Sequence, residues 1–186
     1  MSKPKPVFSL ESLYKMCYDL KKYNKKIGLT HGAFDLFHYA HLDLLRKAAS
    51  MCDFLIVGVD SDRCISEYKS YRRPIVAEEH RMEIVGELNC VDAAFVKDMP
   101  FDKESHINLY KNLLVDVITI GTKFEDKFKN LAYEEADAAG AQLIEIKVQE
   151  DPSSTSLVNK IIERYVKEGS VAISEEENST LVPKEE

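Results

Sequence analysis

Gly32-Ala33-Phe34-Asp35-Leu36-Phe37-His38-Tyr39-Ala40-His41 is the stretch that decides how this chain folds. The apolar run Lys26-Ile27-Gly28-Leu29-Thr30 leads into it, and Leu42, Leu44, Leu45, Ala48, Ala49 and Met51 follow at helical spacing. The stretch is therefore a turn where a buried strand feeds a helix. Such a turn offers backbone N–H groups at the positive end of a helix dipole. Gly32 lets the backbone approach a phosphate closely. His38 and His41 are three apart and share one side of the helix start. Each can donate from an imidazole nitrogen to a phosphate oxygen. On spacing alone, a pair of structural cap histidines is an equal alternative. A zinc site is disfavoured, because His31, His80, His106 and the cysteines are out of register with the pair.

Outward from this turn, strands and helices alternate. Residues 9–23 read as an amphipathic helix capped by Ser9, with Leu10, Leu13, Tyr14, Cys17 and Leu20 on one stripe. Lys25 to Thr30 is the first strand. Phe54-Leu55-Ile56-Val57-Gly58-Val59 is the second, apolar on both faces as in a covered parallel sheet. A polar segment from Asp60 to Arg73 is halted by Pro74. Glu78 to Leu88 is predicted helical with Met82, Val85 and Leu88 inward, Ala93 to Val96 a strand, Ser105 to Leu113 a helix, and Val115 to Ile120 a strand ended by Gly121. Phe128 to Ala139 is a helix ended by Gly140, Leu143 to Val148 the last strand, and Ser154 or Thr155 caps a helix to about Lys167. The order predicts an α/β fold: a Rossmann-like, doubly wound, parallel five-stranded sheet with helices on both faces. Ligands of such sheets bind beyond the carboxyl ends of the strands, where strand order reverses. The polar candidates fall there, at 30–41, 60–74, 121–127 and 151–156.

Composition narrows the function. The chain has 186 residues, 45% of them hydrophobic, and a formal net charge of -7. That size suits one well-buried domain, and the absence of a uniformly basic surface argues against nucleic acid as a partner. Residues 1–30 carry seven lysines against Glu11 and Asp19; the segment from Gly169 to Glu186 carries five glutamates against one lysine. The expected organisation is an N-terminal segment and helix over 1–24 packed on the domain, an α/β domain over 25–168, and an acidic, flexible tail over 169–186. Cys17, Cys52, Cys64 and Cys90 lack metal-site spacing and read as free thiols of a reduced cytoplasmic protein. No apolar run is long enough for a membrane helix, and the start lacks a secretory signal.

The stretch from Gly32 to His41 resembles the signature of the cytidylyltransferase-like nucleotidyltransferase superfamily: glycine, a small residue, Phe-Asp, two apolar residues, then His-x-Gly-His. Ala40 stands where that family has glycine. Lys69-Ser70-Tyr71-Arg72-Arg73-Pro74-Ile75 is similar to its Lys-Gly-x-x-Arg-Pro-Ile segment, and Glu79-His80-Arg81-Met82 to its Glu-Gln-Arg-Met. Val57-Gly58-Val59-Asp60-Ser61-Asp62 resembles Val-Gly-Val-x-x-Asp, with Asp62 at the acidic position. Ser154-Thr155-Ser156 is similar to its Ser-Thr-Thr element, where hydroxyls that cap a helix can also bind phosphate. The likeness spans Phe8 to Tyr165 and is nearest to the heptose 1-phosphate adenylyltransferase and glycerol 3-phosphate cytidylyltransferase groups. Ile120 and Lys123 replace a lysine and an aspartate of the heptose group. The arginine of the glycerol group's Arg-Thr-Glu-Gly segment has no counterpart between Gln149 and Ser153.

The resemblance implies transfer of a nucleotidyl group from an NTP to a phosphorylated sugar or polyol, with release of pyrophosphate. ATP is slightly favoured over CTP. Two alternatives stand: a CTP-dependent enzyme acting on glycerol phosphate or another alcohol phosphate, and a non-catalytic nucleotide-binding regulatory module. The catalytic residues implied are His38, His41, Lys69 and Arg73. Thr30, Gly32, Ala33, Phe34, Arg81 and Gly121, with Ser154, Thr155 and Ser156, would hold the nucleotide. Lys69, Arg73 and Arg81 carry phosphate or architectural roles. Asp35, Asp62 and Lys123 would face the second substrate, Asp35 either by orienting a basic group or by accepting from a substrate hydroxyl. Mg²⁺ would accompany the triphosphate without evident protein ligands, and a homodimer is expected by the same resemblance.

Overall fold

A computed structural model describes residues 8–68, 72–122, 126–148 and 153–167. Lys69 and Lys123 lie outside the described residues. The chain divides into two compact units, Met1–Glu150 and Asp151–Glu186.

In the first unit, α1 (Leu10–Lys22) precedes β1 (Ile27–Gly32), α2 (Tyr39–Ala49), β2 (Phe54–Asp60), α3 (Asp62–Tyr68) and α4 (Glu78–Gly86). Then come β3 (Ala93–Lys97), α5 (Lys103–Asn112), β4 (Val117–Gly121), α6 (Asp126–Ala139) and β5 (Gln142–Ile146). The five strands form one parallel sheet in the order β3-β2-β1-β4-β5. Strand order reverses between β1 and β4, so the switch point opens beside the β1–α2 turn and Gly121.

Alternation along β2 shows why both faces are covered. Ile56 joins Leu13, Cys17, Leu29, Leu109, Tyr110 and Ala136 in a core under α1, α5 and α6. Leu55, Val57 and Val59 point the other way and join Leu45, Ala48, Met82 and Val85 under α2 and α4. Leu13 and Cys17 of α1 are fully buried and belong to this core. Each such buried aliphatic side chain contributes about 1.5–3 kcal/mol.

Several boundaries move for identifiable reasons. The polar segment after β2 contains a helix that the sequence reading did not assign. The Ser61 hydroxyl accepts from the Cys64 N–H at 3.1 Å, and Cys64 and Ile65 are buried. Seven residues are too few to display a helical stripe. Helix α5 begins before Ser105 because Asp102 caps it, accepting from the Ser105 N–H at 2.8 Å. Strand β4 starts after Asp116, whose carboxylate accepts from the Ile27 N–H at 2.6 Å and pairs with Lys21. Gly140 ends α6 at φ 75°, a backbone region that glycine enters without penalty.

The described part of the second unit is α7 (Ser154–Ile162), continued as a π-turn over Glu163–Lys167. Its cap is Ser153, which accepts from the Ser156 N–H at 3.2 Å; Ser154 and Thr155 are inside the helix, a correction to their expected capping role.

Candidate active site

Phe34 and Leu36 have φ of 49° and 48°, so the chain turns sharply on both sides of Asp35. Left-handed backbone at residues with a β-carbon is held only where surrounding contacts over-determine it. Here Asp35 supplies those contacts. Its carboxylate accepts from Arg73 Nη1 at 3.0 Å, from the Ile75 N–H at 3.1 Å and from the Val76 N–H at 3.0 Å. Burial opposes its charge. The Val76 N–H, the Arg73 guanidinium and the Ile75 N–H together outweigh burial and hold the carboxyl below its ordinary range. Asp35 thus clamps the loop at 73–76 against the β1–α2 turn.

The turn delivers His38 to the N-cap of α2 in extended backbone, with φ -141° and ψ 176°. The His38 and His41 rings stack at 4.0 Å between centroids, 28° between planes. The His38 N–H donates to His41 Nδ1 over 3.4 Å. That bond places the proton of a neutral His41 on Nε2, the outer nitrogen. The rings of Phe34 and Phe37 each lie 5.5 Å from that of His41 and fix its plane. The first turn of α2 has no acidic residue to offset its dipole, and Asp43 beyond it pairs with Lys47 at 2.7 Å. His41 thus meets the helix start through Nδ1, and its other nitrogen is left as the donor.

Arg81 turns out to be a brace. It is 1% exposed and donates through Nη1 to the carbonyls of Ala33 and Asp60, through Nε to the Val76 carbonyl at 2.8 Å, and through Nη2 to Asp62 at 2.6 Å. The guanidinium joins the carboxyl ends of β1 and β2 to the 73–76 loop. Asp62 is the exposed end of this brace, and its backbone N–H donates to Glu78 at 2.8 Å. Arg72 and His80 are exposed, whereas Arg73 is held by Asp35.

Thr30 is buried, and its hydroxyl donates to the Thr119 carbonyl at 3.0 Å, bracing β1 against β4 directly below the switch point. Gly32 ends β1 and Gly121 ends β4, with Ala33 and Phe34 following Gly32 directly. Ser154, Thr155 and Ser156 open α7 in the second unit.

A second polar group stands at the ends of β2 and β3, unforeseen except for Asp60. Asp60 is 2% exposed and Lys97 0%. Lys97 Nζ is 3.5 Å from Asp60 Oδ1, and the Tyr68 hydroxyl donates to Asp60 Oδ2 at 2.7 Å. Nearby, buried His106 meets Glu135 at 3.0 Å through Nδ1, and His31 Nε2 meets the Tyr110 hydroxyl at 3.0 Å. Desolvation, with the Lys97 ammonium beside it, pushes the His31 imidazole well below its ordinary value, so it is neutral. The signal available in the sequence was a lysine closing an otherwise apolar strand, Ala93-Ala94-Phe95-Val96-Lys97.

A doubly wound parallel sheet with a stacked histidine pair at its switch point defines a nucleotide-binding α/β domain. Residues 29–161 match the cytidylyltransferase-like family, and the chain belongs to that family of nucleotidyltransferases. Curated relatives include the bifunctional protein HldE of Helicobacter pylori (strain HPAG1), 32% identical over 145 residues, covering 73% of this chain and 30% of that protein. The HldE of Geobacter sulfurreducens is 30% identical over 148 residues, covering 80% and 29%. The chain thus spans about three-tenths of the length of these relatives. Among solved structures, a lipopolysaccharide core biosynthesis protein from Thermoplasma volcanium superposes with a TM-score of 0.55 at 23% identity, covering 68% of this chain and 99% of that one. A pantoate-beta-alanine ligase from Francisella tularensis gives 0.57 at 18%, covering 84% and 77%. Both show the likeness of fold.

Proposed function

We propose that this chain transfers a nucleotidyl group from an NTP, ATP in preference to CTP, to the phosphate of a phosphorylated sugar or polyol, releasing pyrophosphate. The observation that carries this reading is the stacked His38–His41 pair at the start of α2, beside the β1/β4 switch point. The preference for ATP follows the wider likeness to the heptose 1-phosphate adenylyltransferase group, supported by the HldE relatives.

The acceptor phosphate is already anionic near neutral pH, so no general base is needed. It attacks the α-phosphorus in line, and the bond to pyrophosphate breaks. The outer nitrogens of His38 and His41 donate to triphosphate oxygens as charge gathers on them. Arg73, held at a fixed angle by Asp35, adds a charge-assisted donor for the leaving group. Lys69 and Lys123 would contribute further positive charge. Catalysis is thus mainly positioning and charge stabilisation. Mg²⁺ would arrive with the triphosphate. It would be held mainly by phosphate and water.

The test is a panel of ATP, CTP, GTP and UTP against phosphorylated sugars and polyols, read by pyrophosphate release. Release that requires both an NTP and an acceptor supports transfer. NTP binding without release under every pairing would make the domain a nucleotide-binding regulatory module instead.

A further inference from the structure

Strand β1 is paired unequally at its carboxyl end. Its registered pairs with β2 run as far as Gly32, opposite Val59, whereas those with β4 are Gly28 with Val117 and Leu29 with Ile118. Where the sheet opens at the switch point, side chains take over from the ladder. On the face under α2 and α4, the Thr30 hydroxyl donates to the Thr119 carbonyl, and Arg81 donates to the Ala33 carbonyl. On the opposite face the tie is His31, whose Nε2 meets the Tyr110 hydroxyl of α5 at 3.0 Å. Gly58 makes room for that tie. It is paired with His31, and a β-carbon there would stand 3.1 Å from both His31 Cβ and the Phe95 ring.

The far end of the tie is buried and fixed. Burial, then the Glu135 carboxylate facing its hydroxyl, raises the Tyr110 phenol far above its ordinary value, so it keeps its proton. Glu135 of α6 is buried in turn and meets His106 Nδ1 at 3.0 Å. The near end leads straight to the histidine pair. Gly32 closes β1, and two residues further on the buried Phe34 has its ring 5.5 Å from that of His41. Phe34 has φ 49°, a backbone state kept only by its surroundings. Interiors are close-packed, so a shift at the end of β1 is passed through the Phe34 ring to His41.

We propose that Tyr110 is a positioning residue for nucleotidyl transfer, acting through His31 on the β1–α2 turn that carries His38 and His41. It touches neither substrate. Its hydroxyl fixes the His31 side chain, His31 fixes where β1 ends, and the end of β1 sets the Phe34 ring against His41. In-line transfer is sensitive to errors of this kind: a misplacement of about 1 Å far from the chemistry can cost about 10²-fold in rate. Because the link acts on alignment, its loss lowers kcat and leaves the binding of both substrates nearly intact.

This inference rests on the transferase reading, and the two fail separately. Tyr110→Phe keeps the ring and removes the hydroxyl. His31→Leu removes the tie from the other side, and His31→Gln retains a polar group that can meet Tyr110. Parent and variants would be compared for kcat, for KM toward NTP and acceptor, for unfolding, and for the imidazole signals of His38 and His41 in nitrogen-15 NMR spectra. The expected result for Tyr110→Phe and His31→Leu is a ten-fold or greater fall in kcat, both KM values within three-fold of the parent, and displaced His38 and His41 signals. His31→Gln should return kcat to within three-fold of the parent. His31→Leu keeps the test decisive if Tyr110→Phe does not fold. A folded variant lacking the tie whose kcat stays within two-fold of the parent, or whose His38 and His41 signals do not move, overturns the proposal and leaves the Tyr110 hydroxyl a stabilising group only. If the parent releases no pyrophosphate under any pairing, the transferase reading falls. The link from Tyr110 to the turn is then judged by the imidazole signals alone: displaced, they sustain it; unmoved, they overturn it.

Discussion

The Asp35 carboxylate holds the Arg73 guanidinium at 3.0 Å, across a partly buried contact that links two loops 38 residues apart in sequence. Asp35 also fastens the Ile75 and Val76 N–H groups, so one carboxylate sets both the angle of a candidate catalytic arginine and the path of its loop. Asp35→Asn keeps the shape and removes the charge. Hydrogen bonds to charged groups contribute about 1.5–3 kcal/mol, and a loss of that order is expected in urea unfolding, with a fall in kcat as Arg73 loosens.

The same contact gives a signed pH dependence. The Asp35 carboxyl is held below its ordinary value in the folded protein. Its stabilising contribution is therefore complete above the unfolded value, roughly pH 3.9, and is lost as pH falls through the lower folded value. Unfolding midpoints measured from pH 6 down to pH 2 should converge for parent and Asp35→Asn at the acid end. A constant gap across that range would show that charge is not what Asp35 contributes.

His41 carries two jobs on its two nitrogens, and substitutions can part them. His41→Ala removes both: the helix cap at Nδ1, worth about 1 kcal/mol, and the outer donor. His41→Asn retains an acceptor near the Nδ1 position. Both variants should lose roughly 10²–10³ in pyrophosphate release, the scale of a lost oxyanion donor. Only the alanine variant should lose appreciable stability by thermal unfolding.

The histidine pair was legible because it is local: a strand, a turn and a helix start lie within ten consecutive residues. A parallel sheet covered on both faces followed from the alternation of strands and helices. Arg81 was harder to assign, because the acceptors that define it, Ala33, Asp60 and Val76, are carbonyls that carry no mark in the sequence. Asp60 and Lys97 meet only because β2 and β3 are paired in register, with Asp60 opposite Lys97. Neither the short α3 nor this pairing leaves a periodic signal.

Arg81 should behave as a structural residue. Arg81→Leu strands three backbone carbonyls, at about 1–3 kcal/mol each, so a loss of at least about 3 kcal/mol is expected. Arg81→Lys keeps a charge but cannot span acceptors on β1, β2 and the 73–76 loop at once, and should fall between leucine and parent in chemical unfolding. If Arg81→Lys instead matched the parent in stability while NTP KM rose sharply, the guanidinium would be a phosphate ligand.

Cys17 offers a readout of α1 docking that is independent of activity. Burial pushes its thiol up to about 11, against a smaller opposing effect of Lys21. At pH 8 its thiolate fraction is then about one in a thousand, and the side chain is fully enclosed, so alkylation in the native state should be slow at Cys17. Mass spectrometry after a short iodoacetamide pulse should find Cys17 unmodified until denaturant is added. The raised value also has a stability consequence of definite sign. The folded state keeps the proton that the unfolded thiol releases, so this contribution is complete below the unfolded value near 8.5 and is lost as pH rises through the folded value of about 11. Cys17→Ala should remove that part of the alkaline slope, at the cost of a cavity beside Leu13 and Ile27. Rapid native labelling of Cys17 would mean that α1 leaves the sheet face readily, and the core under α1, α5 and α6 would then open from its N-terminal side.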